Sequence, residues 1–249
     1  MSGDQQERVQ KPPPVRLSEV PADSVREHRQ RGHELDGELD HKSTITAVAR
    51  DLTEGLRVLR RQPVARALLP VIVIFLAANA SLSAVLIPFG VQRLGGSEHT
   101  GLLLSCLGVG FLTGAPVIRA LLDHVQPRIL LTASLTAAAA AYLLLFSSSS
   151  LTTALPAAVA VGMFGSMSLV IPQTAVQRVI PNAVLGRISA VFLTGEAAAS
   201  LVGAVAGPFL AQAVRLTGVA DAASLITLSA AALTFVAVPQ MSTIIPLPP

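Results

Sequence analysis

The chain has 249 residues, of which 51% are hydrophobic and 13% charged, and a formal net charge of +3. Residues 1–66 hold 12 of the 18 basic and 11 of the 15 acidic side chains, which leaves six basic and four acidic for the remaining 183 residues. A water-soluble domain carries about a quarter charged residues, so the long remainder is excluded as one, and its solvent is expected to be lipid. The basic residues form no stripe and aromatic residues make up only 4%, which argues against a nucleic-acid face. The single cysteine, Cys106, lies in an apolar run and excludes a disulfide framework.

Taken in chain order, residues 1–43 mix charge with Pro and Gly and hold few large apolar side chains, the composition of a disordered polar tail. They contain no apolar stretch of the kind a secretory signal requires. His28, His33 and His41 follow no metal-ligand spacing, so no metal or cofactor is expected. Residues 44–66 are expected to form an amphipathic helix ending near Pro63. Val48, Leu52, Leu56 and Leu59 recur at helical spacing, while Arg50, Asp51, Glu54, Arg57, Arg60 and Arg61 take other faces. Such a helix can lie in the membrane interface, where arginines suit anionic headgroups, or dock on a partner as an ordinary soluble helix.

Six apolar segments follow, at about 67–91, 101–122, 129–146, 153–176, 188–214 and 219–238, with a short tail at 239–249. Each is near the roughly 20 residues that cross a bilayer as a helix. The expected fold class is therefore all-α, a polytopic membrane domain of six transmembrane helices over 67–238. Pro70, Pro88, Pro116, Pro156, Pro172 and Pro208 fall inside these segments, which membrane helices tolerate because neighbours satisfy the freed backbone groups. An N-in, C-in arrangement puts Arg57, Arg60, Arg61, Arg66, Arg128, Arg178 and Arg187 on the cytoplasmic side and only Arg93 and Arg215 outside, the asymmetry of the positive-inside rule. There is no Trp and one Tyr, Tyr142, so aromatic belts hardly exist.

Within the second segment, Gly108, Gly110 and Gly114 do not make a nucleotide loop, because no strand precedes them. Gly110 and Gly114 fit the small-xxx-small pattern that lets helix backbones approach closely. Arg119 and Asp123 lie one turn apart at the segment's end, with His124, Gln126, Pro127 and Arg128 in the turn that follows.

Here a resemblance enters. Gly114, Asp123 and Arg128 look like the weaker copy of a Gly, Asp and basic-residue motif that major facilitator superfamily transporters carry between helices 8 and 9. That likeness implies a cytoplasmic latch in which Arg119 joins Asp123. The stretch VIPQTAVQRVIPNAVLGRISAVF, 170–192, resembles the join of helices 10 and 11 in the drug- and siderophore-exporting branches, including the enterobactin-exporter group. Pro172, Gln177, Val179, Pro181, Gly186 and Arg187 carry it. Those relatives usually have an acidic residue where this chain reads Asn182-Ala183. GAVAGP, with Gly203, Gly207 and Pro208, is similar to the Gly-xxx-Gly-Pro motif of proton-driven antiporters, and is equally read as a packing and kink site. DLTEGLRVLRRQPVARALL, 51–69, looks like the stretch preceding helix 7. Together these span about 51–238 and correspond to helices 7 to 12, one half of a twelve-helix transporter.

Glu196 is the only charge between Ala190 and Val214. It lies nine residues beyond Arg187, about 13 Å along a helix and so near mid-membrane. A charge at that depth usually faces a cavity or the bundle interior. It is read as a substrate- or proton-binding carboxylate, or else as a packing residue hydrogen-bonded to Asn79 or Gln173. Asn79, Ser81, Gln173 and Thr174 are the other polar candidates. A lone stable bundle should bury Glu196, Asn79 and Gln173 together, whereas a half-transporter should present them toward a partner.

The resemblance implies proton-coupled export of a small amphipathic molecule across the plasma membrane, by alternating access, with a lipid bilayer and a second six-helix bundle as partners. That bundle would be a second copy or a separately encoded half. The alternative is a truncated or accessory membrane protein without transport activity. An enzyme is not expected, since no nucleophile–base pair falls within the segments.

Overall fold

The computed structural model describes residue 50, residues 53–213 and residues 216–237. The tail expected over 1–43, the tail expected over 239–249, and Val48 and Leu52 of the amphipathic stretch lie outside the described residues. Seven helices follow one another. They are α1 (53–61), α2 (Pro63–Arg93), α3 (Ser97–Leu122), α4 (Pro127–Ser147), α5 (Leu151–Val179), α6 (Asn182–Ala213) and α7 (Leu216–Ala237). Six of them are long and apolar enough to cross a membrane. At 1.5 Å per residue, the 21 residues of α4 just span a hydrocarbon core, and the 32 residues of α6 exceed it.

Local chemistry explains the boundaries. Pro63 and Pro127 stand at the first turn of α2 and α4, where a missing N–H removes nothing and φ is already helical. The α2–α3 turn is tight because Gly95 and Gly96 take φ of 91° and 131°, which other residues rarely adopt. All six expected prolines sit inside helices that continue through them.

The helices from residue 53 onward form one unit. The principal seams join α3 to α5, α2 to α6, α4 to α5, α4 to α7 and α2 to α7. Exchanging α2, α3 and α4 for α5, α6 and α7 carries the α2–α6 seam onto α5–α3, the α4–α5 seam onto α7–α2, and α4–α7 onto itself. A repeat of three spans reverses direction in its second copy. This is therefore the arrangement of two inverted three-helix repeats, and the fold is half of a major-facilitator bundle, as expected.

The symmetry-related seams are built alike. On α3–α5, a Cβ added at Gly110 would collide with the Val159 carbonyl, and one at Gly162 with the Leu107 carbonyl. On α6–α2, a Cβ at Gly203 would collide with the Ala77 carbonyl, and one at Gly207 would lie 2.6 Å from the Ser81 carbonyl. Lipid offers no hydrophobic drive between helices, so close backbone packing is what holds these seams. Two apolar cores fill the interior. One, toward α1, includes Phe75, Ile118, Leu131, Ile171 and Ile188. The other, toward the far end, includes Leu82, Phe89, Leu103, Tyr142 and Phe146, with the Phe89 and Phe146 rings 4.9 Å apart. Among the six spans, α3 and α6 are the least buried. They end the chain of neighbours α3–α5–α4–α7–α2–α6 and flank an open side.

α1 departs from its expected apolar face. Gly55, Val58 and Leu59 turn inward, while Leu56 is 42% exposed. The reason is steric. A Cβ at Gly55 would lie 2.7 Å from Val191 Cγ2 and 2.8 Å from the Arg187 carbonyl, so α1 crosses α6 at the one residue without a side chain. That crossing sets which face points in.

Candidate functional site at Glu196

α6 lays Phe192, Ala199, Gly203 and Gly207 against α2. Glu196 stands beside this buried line and is half-exposed. It is 14 residues from the start of α6 at Asn182 and 17 from its end at Ala213, so it sits at mid-helix. The polar side chain that comes nearest to interacting with it is Gln173 of α5. Gln173 is itself exposed. α5 and α6 form no principal seam, so the pair bridges two separate helices on the open side.

Asn79 is placed elsewhere. It lies at mid-helix on α2 and accepts a hydrogen bond from the Tyr142 hydroxyl on α4. Both line a cavity of about 150 Å³ bounded by α2, α3, α4 and α5, with Phe75, Phe111 and Phe146 among its apolar walls. Leu169, one turn before Gln173, lines the same cavity. The three expected polar groups therefore divide into a Glu196–Gln173 pair on the open side and an Asn79–Tyr142 pair inside. Thr174 is half-buried. Ser81 is committed to packing, since its hydroxyl donates to the Gly203 carbonyl at 2.9 Å.

The expected latch residues separate into three places. Gly114 is buried in the α3–α5 seam. Asp123, at the end of α3, pairs with Arg178 at the end of α5 at 3.2 Å, both side chains being largely exposed. Arg119 is exposed and is not Asp123's partner. Arg128 reaches α7, donating to the Phe235 carbonyl with its guanidinium 4.5 Å from the Phe235 ring centre. In the α5–α6 join, Pro181 precedes α6, Gln177 and Gly186 are exposed, and Arg187 pairs with Glu54 of α1 at 3.6 Å. Spacing along one helix pointed Asp123 at Arg119. The convergence of two helix ends, which sequence does not display, gives it Arg178 instead. Tyr142 was legible only as a rare aromatic, and its role as donor to Asn79 depends on α4 facing α2.

Among the described residues no group of His, Cys, Asp or Glu could hold a metal ion. The arrangement offers one carboxylate at mid-helix beside an amide, on the side that the bundle leaves uncovered.

Two stretches of the chain, residues 11–204 and 68–248, match the Major Facilitator Superfamily. Among solved structures, the fucose:proton symporter of E. coli is similar in fold, with a TM-score of 0.60 at 18% identity. The likeness covers 74% of this chain and 44% of the symporter, so the chain spans less than half of that protein's length. Among curated proteins no sequence matches this chain. With its six spans, paired three-helix repeats and match over 68–248, the chain belongs to the major facilitator superfamily.

Proposed function

We propose that the chain is one six-helix half of a secondary transporter, the C-terminal half in the family's order, and that Glu196 is its substrate- or proton-binding carboxylate. The observation that carries this reading is the position of Glu196. A packing residue would be enclosed among apolar neighbours, yet this carboxylate is half-exposed at mid-helix on the side of the bundle that α3 and α6 leave open. Carboxylates at that depth are costly and face an aqueous cavity or a partner. A second six-helix bundle, either another copy or a separately encoded half, would complete a midplane cavity there, and rocking of the two bundles would alternate access to it. Asn79 with Tyr142 supplies the inner polar group, and Gln173 stands beside the carboxylate on the rim. The ion pairs Asp123–Arg178 and Arg187–Glu54 sit at the end that the arginine asymmetry assigns to the cytoplasm, where they would latch the helix ends in one state. Proton-coupled export of a small amphipathic molecule across the plasma membrane follows from the likeness to the exporter branches.

The test is proton flux into proteoliposomes that contain the full chain and its co-purifying partners, on addition of a panel of amphipathic compounds. Glu196→Gln should abolish substrate-driven flux and leave membrane insertion intact. Unchanged flux and unchanged pH dependence in that variant would remove Glu196 from coupling. The competing reading, an accessory membrane protein without transport of its own, rests on the 44% coverage of the symporter. A persistent monomer in native mass spectra, inert toward every compound, would favour it.

A further inference from the structure

The cavity that Asn79 and Tyr142 share is selective by its chemistry. It lies between α2 and the α3–α5 pair, where no principal seam closes the bundle, and α4 forms its floor. Two of its lining residues, Ser83 on α2 and Phe111 on α3, are exposed, so it opens between those helices. Phe75, Phe111, Tyr142 and Phe146 wall it, four of the nine aromatic side chains in the chain. Aromatic faces and edges pack best on another ring. The volume, about 150 Å³, is that of an apolar cavity that takes benzene, so it suits a single ring.

One polar group in it is uncommitted. The Tyr142 hydroxyl is buried and donates to the Asn79 side-chain oxygen. Among the described residues it has no other acceptor, which fixes the orientation of the amide: the oxygen faces Tyr142 and the nitrogen is left over. That nitrogen carries two N–H donors and makes no hydrogen bond among the described residues. It is not one of the enclosed side-chain atoms that lack a partner, which are His99 Nδ1, Arg128 Nε and the Ser224 hydroxyl, so it is reached from the cavity. A donor held on an aromatic wall and open to the cavity asks for an acceptor.

The rest of the lining rules out other occupants. Among the described residues no Asp, Glu, Lys, Arg or His lines the cavity, so an ionic group would be desolvated there without a counter-charge. A sugar carries a hydroxyl on nearly every carbon. One amide and the Ser83 hydroxyl cannot pair them all, and the rest would lie unpaired against phenyl rings. A plain hydrocarbon fits the walls but leaves the Asn79 donors unused.

We propose that this cavity binds a neutral, single-ring aromatic group bearing one hydrogen-bond acceptor, of the aryl ketone or aryl ester class. The ring lies among Phe75, Phe111 and Phe146, and its oxygen accepts from the Asn79 amide. Resting on the reading of the chain as half a transporter, that group is the aromatic end of the substrate, while the cavity itself lies wholly within this bundle.

The test is binding to the full chain in mild detergent, read by fluorine NMR. The probes are para-fluoroacetophenone and its hydrocarbon counterpart para-fluoroethylbenzene. The ketone should bind about fivefold more tightly, the worth of one hydrogen bond. Tyr142→Phe/Asn79→Leu, which removes the polar pair whole, should erase that preference and keep hydrocarbon binding. Gly165→Leu fills the cavity from a position where a Cβ meets nothing within 4 Å, and should abolish binding of both probes beyond micelle partition. Fucose in excess should displace neither. Equal affinity for the two probes, a preference that survives in the double variant, unchanged binding in Gly165→Leu, or displacement by fucose would overturn the assignment. Proton flux separates this site from the transporter reading. Specific binding with no flux toward any compound would sink that reading alone, and flux with other compounds but no ketone binding would sink the cavity assignment alone.

Discussion

Ser81 on α2 donates its hydroxyl to the backbone carbonyl of Gly203 on α6 at 2.9 Å, at the level where the two backbones meet without an intervening side chain. The same hydroxyl also donates to the Ala77 carbonyl within its own helix. Hydrogen bonds between membrane helices average about 0.6 kcal/mol, so Ser81→Ala should lower stability only slightly. Gly203→Val is a different matter. Its Cβ has no space beside Ala77, and overpacking of this kind costs about 1–3 kcal/mol. Thermal unfolding in detergent should rank Gly203→Val well below Ser81→Ala. The opposite ranking would mean that the hydrogen bond, rather than the close approach, holds the seam.

The matching seam offers a sharper pair of substitutions on one helix. Gly162 faces the Leu107 carbonyl across α3–α5, whereas a Cβ at Gly165 meets nothing within 4 Å, because that position borders the inner cavity. Gly162→Ala should cost about 1–3 kcal/mol through forced separation of the helices. Gly165→Ala should be neutral or stabilise by up to about 1 kcal/mol, since Ala is the better helix former. Chemical or thermal denaturation of the two variants reads the difference directly.

Much of this architecture was legible because it is written in local chemistry. Depleted charge marked the six spans, small residues four apart marked close backbone approach at Gly110, Gly114, Gly203 and Gly207, and the isolation of Glu196 in an apolar run marked it as a candidate site. Contacts between chain segments were not legible. Asp123 has Arg119 one turn away in sequence, yet the end of α5 brings Arg178 to it. Leu56 fits an apolar stripe by spacing, yet the crossing at Gly55 turns it outward. In each case the deciding quantity is how two helices converge, which no single-helix period encodes. The Glu196–Gln173 pair was within reach of sequence reasoning because both residues interrupt otherwise apolar segments. Its separation from Asn79 was not.

Tyr142 and Asn79 form the interior polar pair, and removing one partner tests how dry their cavity is. Tyr142→Phe leaves the Asn79 side-chain oxygen without its donor. An unsatisfied buried acceptor costs about 1–3 kcal/mol, but a cavity of about 150 Å³ has room for a replacing water. A loss near 1 kcal/mol or below indicates a wet cavity continuous with the solvent of the open side. A loss near 3 kcal/mol indicates a dry one. The double variant Tyr142→Phe/Asn79→Leu, which removes donor and acceptor together, should be milder than Tyr142→Phe alone only in the dry case.

The Asp123–Arg178 pair joins the ends of α3 and α5 at 3.2 Å with both side chains largely exposed. Exposed pairs contribute about 0.2–1 kcal/mol, so Asp123→Asn and Arg178→Gln should each leave thermal stability almost unchanged. A latch acts on the balance between states rather than on folding. The same two variants should therefore change the accessibility of a cysteine placed at Gln173, read by thiol labelling with Cys106 replaced by Ala. A double-mutant cycle on the labelling rate should give non-additive effects. Additive effects, or none, would leave the pair as a surface contact without control over opening.

α1 should act as a strap on α6 through two contacts. The first is the ion pair between Glu54 and Arg187 at 3.6 Å, and the second is the crossing at Gly55. Arg187→Gln weakens only the first, and as a partly exposed pair it should cost no more than about 1 kcal/mol. Gly55→Val attacks the second, because its side chain has to enter the space held by Val191 and the Arg187 carbonyl. It should lift α1 from the bundle while the six spans stay folded, since their seams do not involve residue 55. Amide hydrogen exchange checks this. In Gly55→Val, protection should fall across 53–61 and at the start of α6, and remain across α2–α5. Loss of protection throughout the bundle would show that α1 is part of the folding core and not a strap laid on it.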